Sequence, residues 1–227
     1  MITTETRDGA HILTMDDGKV NALNKEKLDA LVAALAECAN DQAPVAIRGR
    51  KGIFSAGFDL KGFAAGPEVA TAQLQAGKDA ILAILRHPAP VITVCEGHAY
   101  PMGAFLMLAA DKAIGTEGEF VTGMNESAIG MALPIYPMIL GAERLTPRGK
   151  KAVATSEMFA PHAACKVGYF DKVVAPDEVE SALKSELVHM KGLNAGAFNA
   201  NKSAMNKQLI ADIEASPLPD FGGAWAA

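Results

Sequence analysis

The chain has 227 residues, half of them apolar, and a formal net charge of −5. That length suits one large domain, or one domain with a small appendage, and the apolar half is enough for a sizeable core. The acidic balance excludes a basic field for nucleic acid, so an anionic ligand must be held by local basic groups.

In chain order, Ile2–Thr6 and His11–Met15 read as a strand hairpin around Asp8-Gly9. Asn24 caps a helix that turns Leu28, Leu31, Val32 and Leu35 to one face. Pro44–Arg48 is a short buried strand, and residues 49–66 read as a Gly-rich loop. A second helix from about Glu68 to Arg86 points Leu74, Ile81, Leu82 and Leu85 inward, and His87-Pro88-Ala89-Pro90 stops it. Val91–Cys95 is the most strand-like segment. The stretch EGHAYPMGAFLML then carries a turn into an apolar helix ending near Asp111, and Lys112–Gly115 is another strand. From Leu133 onward the pattern is mainly helical, with starts at Thr146-Pro147 and Pro176-Asp177-Glu178, and the tail SPLPDFGGAWAA reads as irregular. Strands alternating with helices, followed by helices alone, predict an α/β core with a C-terminal helical subdomain, divided near residue 175.

Three scattered cysteines, Cys38, Cys95 and Cys165, make neither a disulfide framework nor a zinc ribbon. Glu186 and His189 alone do not make a metal site, so none is expected. The N-terminus has no basic-then-apolar leader, and the apolar stretch from Ala128 to Ala142 is broken by Pro134 and Pro137. A soluble, cytoplasmic chain is therefore expected, with no membrane partner.

Phosphate-loop motifs are absent. Two glycine-bearing turns, Phe54–Leu60 and Ala99–Gly103, each follow a strand, where open α/β sheets place ligands. Each can offer a backbone N–H, and two converging N–H groups make an oxyanion hole. From spacing alone, plain tight turns are the better reading. A third segment, Met124–Met131, carries one acid, Glu126, in an otherwise uncharged stretch. A carboxylate in apolar surroundings suits proton transfer, whereas an exposed loop Glu is the plainer alternative.

Together, Lys19-Val20-Asn21-Ala22-Leu23, Phe54–Lys61, Gly97–Gly103 and Asn125–Gly130 resemble, in order and spacing, the crotonase (enoyl-CoA hydratase/isomerase) family. The resemblance runs from about Ile12 to Val174. It implies a ββα spiral core, the fold shared with the Clp-type peptidases, over residues 1–175. Residues 176–227 then form a helical region for trimerisation and for covering the site. It places the thioester carbonyl between the N–H of Phe58 and that of Met102, with Gly103 as the neighbour. Lys19 and Lys61 fall at positions resembling the family's contacts to the phosphates of coenzyme A, and the backbone near Ser55 and Ala56 lines the path of the cofactor moiety. Coenzyme A arrives as part of an acyl-CoA substrate, no separate cofactor is implied, and the assembly is a homotrimer or a pair of trimers.

The departures sharpen the expectation. Hydratases of the family carry two glutamates. One matches Glu126, but Phe105 stands where the other belongs, so the pattern resembles the family's single-acid Δ3-Δ2-enoyl-CoA isomerases. A hydratase, a thioester hydrolase, a dehalogenase-like reaction and a non-catalytic acyl-CoA-binding paralogue are the alternatives. Pro101–Leu106 also resembles the nucleophile segment of the Clp-type serine peptidases. Pro101 has no hydroxyl, however, and no histidine lies between Glu117 and Asn125, which excludes that chemistry. His98 and Tyr100 are read as packed walls of the substrate pocket beside Phe105, and Asp59 as a residue fixing its own loop.

Overall fold

In the computed structural model, which describes residues 2–219, strands β1 (Ile2–Arg7) and β2 (Ala10–Met15) pair antiparallel. Asp8 and Gly9 between them both have positive φ, 53° and 71°, the backbone that suits the twist of a two-residue hairpin. Helix α1 (Lys25–Cys38) follows, its first turn capped by the Asn24 side chain accepting from the Lys27 N–H. Next come β3 (Val45–Arg48), β4 (Gly52–Ser55), α2 (Leu60–Ala64), α3 (Pro67–Arg86), β5 (Val91–Cys95), β6 (Gly97–Ala99), α4 (Pro101–Ala109) and β7 (Lys112–Thr116). A 3₁₀ turn at Glu126–Ile129 leads to α5 (Ile135–Arg144), α6 (Pro147–Thr155), α7 (Pro161–Val167), β8 (Lys172–Val174), α8 (Val179–Lys191) and α9 (Ala195–Ala215).

Six strands form one sheet in the order β1-β2-β3-β5-β7-β8, parallel apart from the first hairpin. Strands β4 and β6 form a second, parallel pair that carries the site. Both faces of the main sheet are covered, which is why β5 reads as a continuous apolar run instead of an alternating one. Val91 and Cys95 join the larger core with α1, α3 and α4. Ile92 and Val94 point the other way, onto Val179, Leu183, Leu187 and Met190 of α8. Helix α9 lies across α3 and α5, tied down where Lys78 Nζ donates to the carbonyls of Glu214 and Ser216, each at 2.8 Å.

The expected loop over residues 49–66 contains two elements, β4 and α2. Both are four or five residues long, too short to show a period, and β4 is made by its pairing with β6. The same holds for β6 and β8, at three residues each. Beyond α9 the chain leaves the helix at Ser216, and residues 220–227 of the irregular tail lie outside the described residues.

Candidate active site

Backbone pairing brings the four sequence segments side by side. Leu23 bridges Phe58, Ser55 pairs with Ala99, and Ala99 bridges Thr122. The hydrogen bonds that do this are Leu23 N–H to Gly57 O at 2.8 Å, Tyr100 N–H to Ser55 O at 2.9 Å, Ala99 N–H to Val121 O at 3.0 Å and Gly123 N–H to Ala99 O at 3.2 Å. The segment leading to Glu126 is thus anchored against the strand that leads into α4.

Leu23 holds the carbonyl of Gly57 and, through its own carbonyl, the N–H of Asp59 at 3.1 Å. In a parallel bridge of this kind the intervening residue, Phe58, turns its N–H to the opposite side. Gly57 makes the bend with φ of +86°, a conformation side-chain-bearing residues rarely adopt. Across from it, Tyr100 caps α4 with extended backbone and Pro101 is its first residue. The first intrahelical acceptor is Tyr100 O, taken by Ala104 N–H at 3.0 Å. Met102 and Gly103 therefore present first-turn N–H groups that have no partner one turn back, at the positive end of the helix dipole. Pro101 has no N–H to lose there, so it opens the helix without cost. The helix packs so closely on β4 that a Cβ at Gly103 would lie 2.8 Å from Ser55 Cβ.

Glu126 opens the 3₁₀ turn and is only 9% exposed. Burial pushes its carboxyl from 4.5 up to about 7, and only its own N–H works in the other direction. Among the described residues no side chain donates a hydrogen bond to it and no cation pairs with it. A carboxyl with that affinity for protons is matched to general base and acid work near neutral pH. Among the described residues, no group of three His, Cys, Asp or Glu side chains is placed to hold a metal ion.

Residues 5–216 match the model of the family described as enoyl-CoA hydratase/isomerase. The chain belongs to this family. Rat mitochondrial enoyl-CoA delta isomerase 1 is 26% identical over 216 residues, 91% of this chain and 74% of the relative. A probable enoyl-CoA hydratase of Mycobacterium avium is 30% identical over 193 residues, 80% of this chain and 72% of that one. A crystal structure of an enoyl-CoA hydratase/isomerase family protein from Pseudomonas syringae superposes with a TM-score of 0.93 at 35% identity, covering 95% of this chain and 94% of that one. The crotonase-like α/β core expected from the sequence is the observed fold.

Within this family fold the other expected site residues take distinct places. Ser55 is fully buried. Its hydroxyl donates to Asn21 O at 2.8 Å and accepts from Gly57 N–H at 3.0 Å, so it shapes the turn that aims Phe58. Ala56 is half-buried and donates its N–H to Val20 O at 2.9 Å. Asp59 caps α2 by accepting the Lys61 N–H at 3.0 Å, fixing its own loop. Lys19 and Lys61 are exposed on either side of these turns. His98 is a packed wall: its Nδ1 accepts from Val121 N–H at 3.2 Å, and its ring stacks on Tyr100 at 6.0 Å and meets Phe120 edge-on at 5.7 Å. Phe105, at 1% exposure, is part of the main apolar core under α4.

Two residues take their roles only from the structure. Asn21, 2% exposed with φ of 50°, donates Nδ2 to Met15 O at 2.8 Å and Phe54 O at 3.2 Å, lashing the first loop to the end of β4. Asparagine tolerates that left-handed backbone better than most residues, which is the signal its position after Gly18-Lys19-Val20 carries. Arg50 reaches the Lys19 carbonyl through Nε at 2.9 Å and places a second cation beside Lys19.

Proposed function

We propose that the protein isomerises 3-enoyl-CoA thioesters to 2-enoyl-CoA. Glu126 takes a proton from C2 of the substrate. The electrons move into the dienolate, whose negative charge sits on the thioester oxygen between the N–H of Phe58 and the first-turn N–H groups of Met102 and Gly103. The protonated Glu126 then delivers the proton to C4, and the double bond lies between C2 and C3. Preorganised N–H donors stabilise such an oxyanion because they need no reorganisation as charge develops. Coenzyme A enters as part of the substrate, its phosphates facing the exposed Lys19 and Lys61.

The observation that carries this reading is one buried carboxyl, unpaired among the described residues, with its pKa raised to about 7; the reading is supported by Phe105 standing where the family resemblance puts a hydratase's second acid. Moving a proton between two carbons of one substrate needs a single base, whereas hydration is served by two. Relatives named as isomerase and as hydratase both lie near this chain, so the test offers both substrates. The conjugated thioester formed from 3-enoyl-CoA is followed by absorbance with wild type and Glu126→Gln, and 3-hydroxyacyl-CoA is sought from 2-enoyl-CoA. Isomerisation lost in Glu126→Gln supports the reading. Equal rates for the two proteins, or hydration outrunning isomerisation in the wild type, sink it.

The same reading carries a homotrimer, or a pair of trimers. It is supported by the apolar Met205 and Leu193, 83% and 39% exposed, which line a cleft of about 660 Å³ beside α9 and gain from being covered. Light scattering on the purified protein checks the mass.

A further inference from the structure

Helix α3 carries a buried glycine, Gly77, near the middle of its 20 residues. Glycine is a poor helix former, and helical backbone does not require it. The reason for it here is space. A Cβ at position 77 would stand 2.6 Å from Cζ and 2.9 Å from Cε1 of the Phe58 ring, and 3.0 Å from Tyr136 Oη. The Phe58 ring therefore rests on the bare backbone of α3, and Phe63 of α2 meets it edge-on at 5.7 Å.

One turn back, on the same face of α3, is Gln73, 1% exposed. Its Nε2 donates to the carbonyl of Asp59 at 3.1 Å. Its Oε1 lies against α2 at Gly62, where a Cβ would collide with it. Phe58 and Asp59 are adjacent, so one face of α3 seats the side chain of the first and holds the carbonyl of the second. Leu23 holds the same bend through the carbonyl of Gly57 and the N–H of Asp59. With those four groups held, the Phe58 N–H has little freedom to turn.

We propose that Gly77 and Gln73 are positioning residues for the oxyanion hole: they seat Phe58 and Asp59 on α3 so that the Phe58 N–H stays aimed at the thioester oxygen. Such a donor works only within roughly 2.7–3.1 Å of the oxyanion. A phenyl ring is rigid, so an added Cβ at position 77 displaces the whole residue and its N–H with it. The inference rests on the thioester oxygen lying at Phe58, as proposed above, and not on Glu126 being the base.

Two measurements on the full-length protein test it. One is kcat for 3-enoyl-CoA isomerisation. The other is the infrared carbonyl band of a bound saturated acyl-CoA labelled with carbon-13 at its thioester carbonyl, which falls in frequency when N–H groups polarise it. Gly77→Ala is expected to lower kcat per folded molecule by about 10–100-fold, with KM within about twofold, and to return the bound band toward its frequency in water. Phe58→Leu shortens the side chain that the new Cβ strikes, so in that background Gly77→Ala costs less than about threefold. Gln73→Met keeps the length without the donor and lowers kcat about threefold, with the band moving the same way. It decides the matter should Gly77→Ala fail to fold. A lower melting temperature in Gly77→Ala or Gln73→Met, with kcat per folded molecule and the band unmoved, overturns the proposal. So does a Gly77→Ala loss that is equally large in the Phe58→Leu background. A wild type that shifts the band without isomerising 3-enoyl-CoA sinks the reaction alone, and the band in the variants still decides this inference. A wild type that leaves the band unshifted sinks the inference itself.

Discussion

Lys202 and Glu126 are both ionisable side chains taken out of water, and their surroundings differ in one respect. Lys202 on α9 has a side chain only 4% exposed, with Nζ 2.6 Å from Asp111 Oδ2. That same oxygen accepts the Val91 N–H at 2.8 Å, so the pair also pins the start of β5. Burial lowers the proton affinity of Lys202, and the Asp111 charge works against that loss. Among the described residues Glu126 has no such partner, and burial acts on it almost unopposed. The difference separates two uses of a buried charge. With its counter-ion in hydrogen-bond contact, the charge holds elements together. Left unpaired, it is unstable in its ionised form and so is ready to take a proton.

Removing each charge tests that division. Glu126→Gln is expected to lower kcat by about 10²–10⁴ while leaving the fold intact, read from steady-state isomerisation and circular dichroism. Lys202→Met is expected to do the reverse. It strands Asp111 and lowers unfolding free energy by about 3 kcal/mol in urea titrations, with kcat per folded molecule unchanged. Should Lys202→Met abolish turnover, or Glu126→Gln unfold the chain, the division fails.

A third experiment sharpens it. The Glu126 carboxyl holds its proton more tightly folded than unfolded, so its contribution favours the folded state below about pH 4.5 and is lost as pH rises through about 7. Wild type should therefore lose stability relative to Glu126→Gln between pH 5 and pH 8, by at most about 3 kcal/mol. Parallel stability curves for the two proteins would mean that Glu126 is solvated or paired after all. The smallest effect is expected at the exposed cations. Lys61→Ala or Lys19→Ala should raise KM for acyl-CoA about threefold at low salt, fading as salt is added, with kcat unaltered.

Much of the fold was legible because the longer elements have clear periods. The strand Val91–Cys95, the helix over residues 67–86 and the capped α1 all lie close to where their patterns place them. The short strands β4, β6 and β8 were not, since three or four residues show no alternation and are defined by their neighbours. In the site, the segments carrying Phe58, Met102, Gly103 and Glu126 stood out as glycine turns and a lone acid. Asn21 lay in one of the quoted segments, but its role did not show, because it comes from a contact 33 residues away in sequence.

The sequence by itself determined the alternating α/β order and the family. It also shows that Pro101 carries no hydroxyl and Phe105 no carboxyl, at the positions where the resemblance places a nucleophile and a second acid. Only the tertiary structure decided that Ser55, Ala99 and Thr122 lie in one ladder, that Phe58 and the first turn of α4 turn N–H groups out of their local pairing, and that Glu126 is buried without a partner among the described residues. Those are properties of backbone direction and desolvation, which arise when segments distant in the chain exclude water from one another.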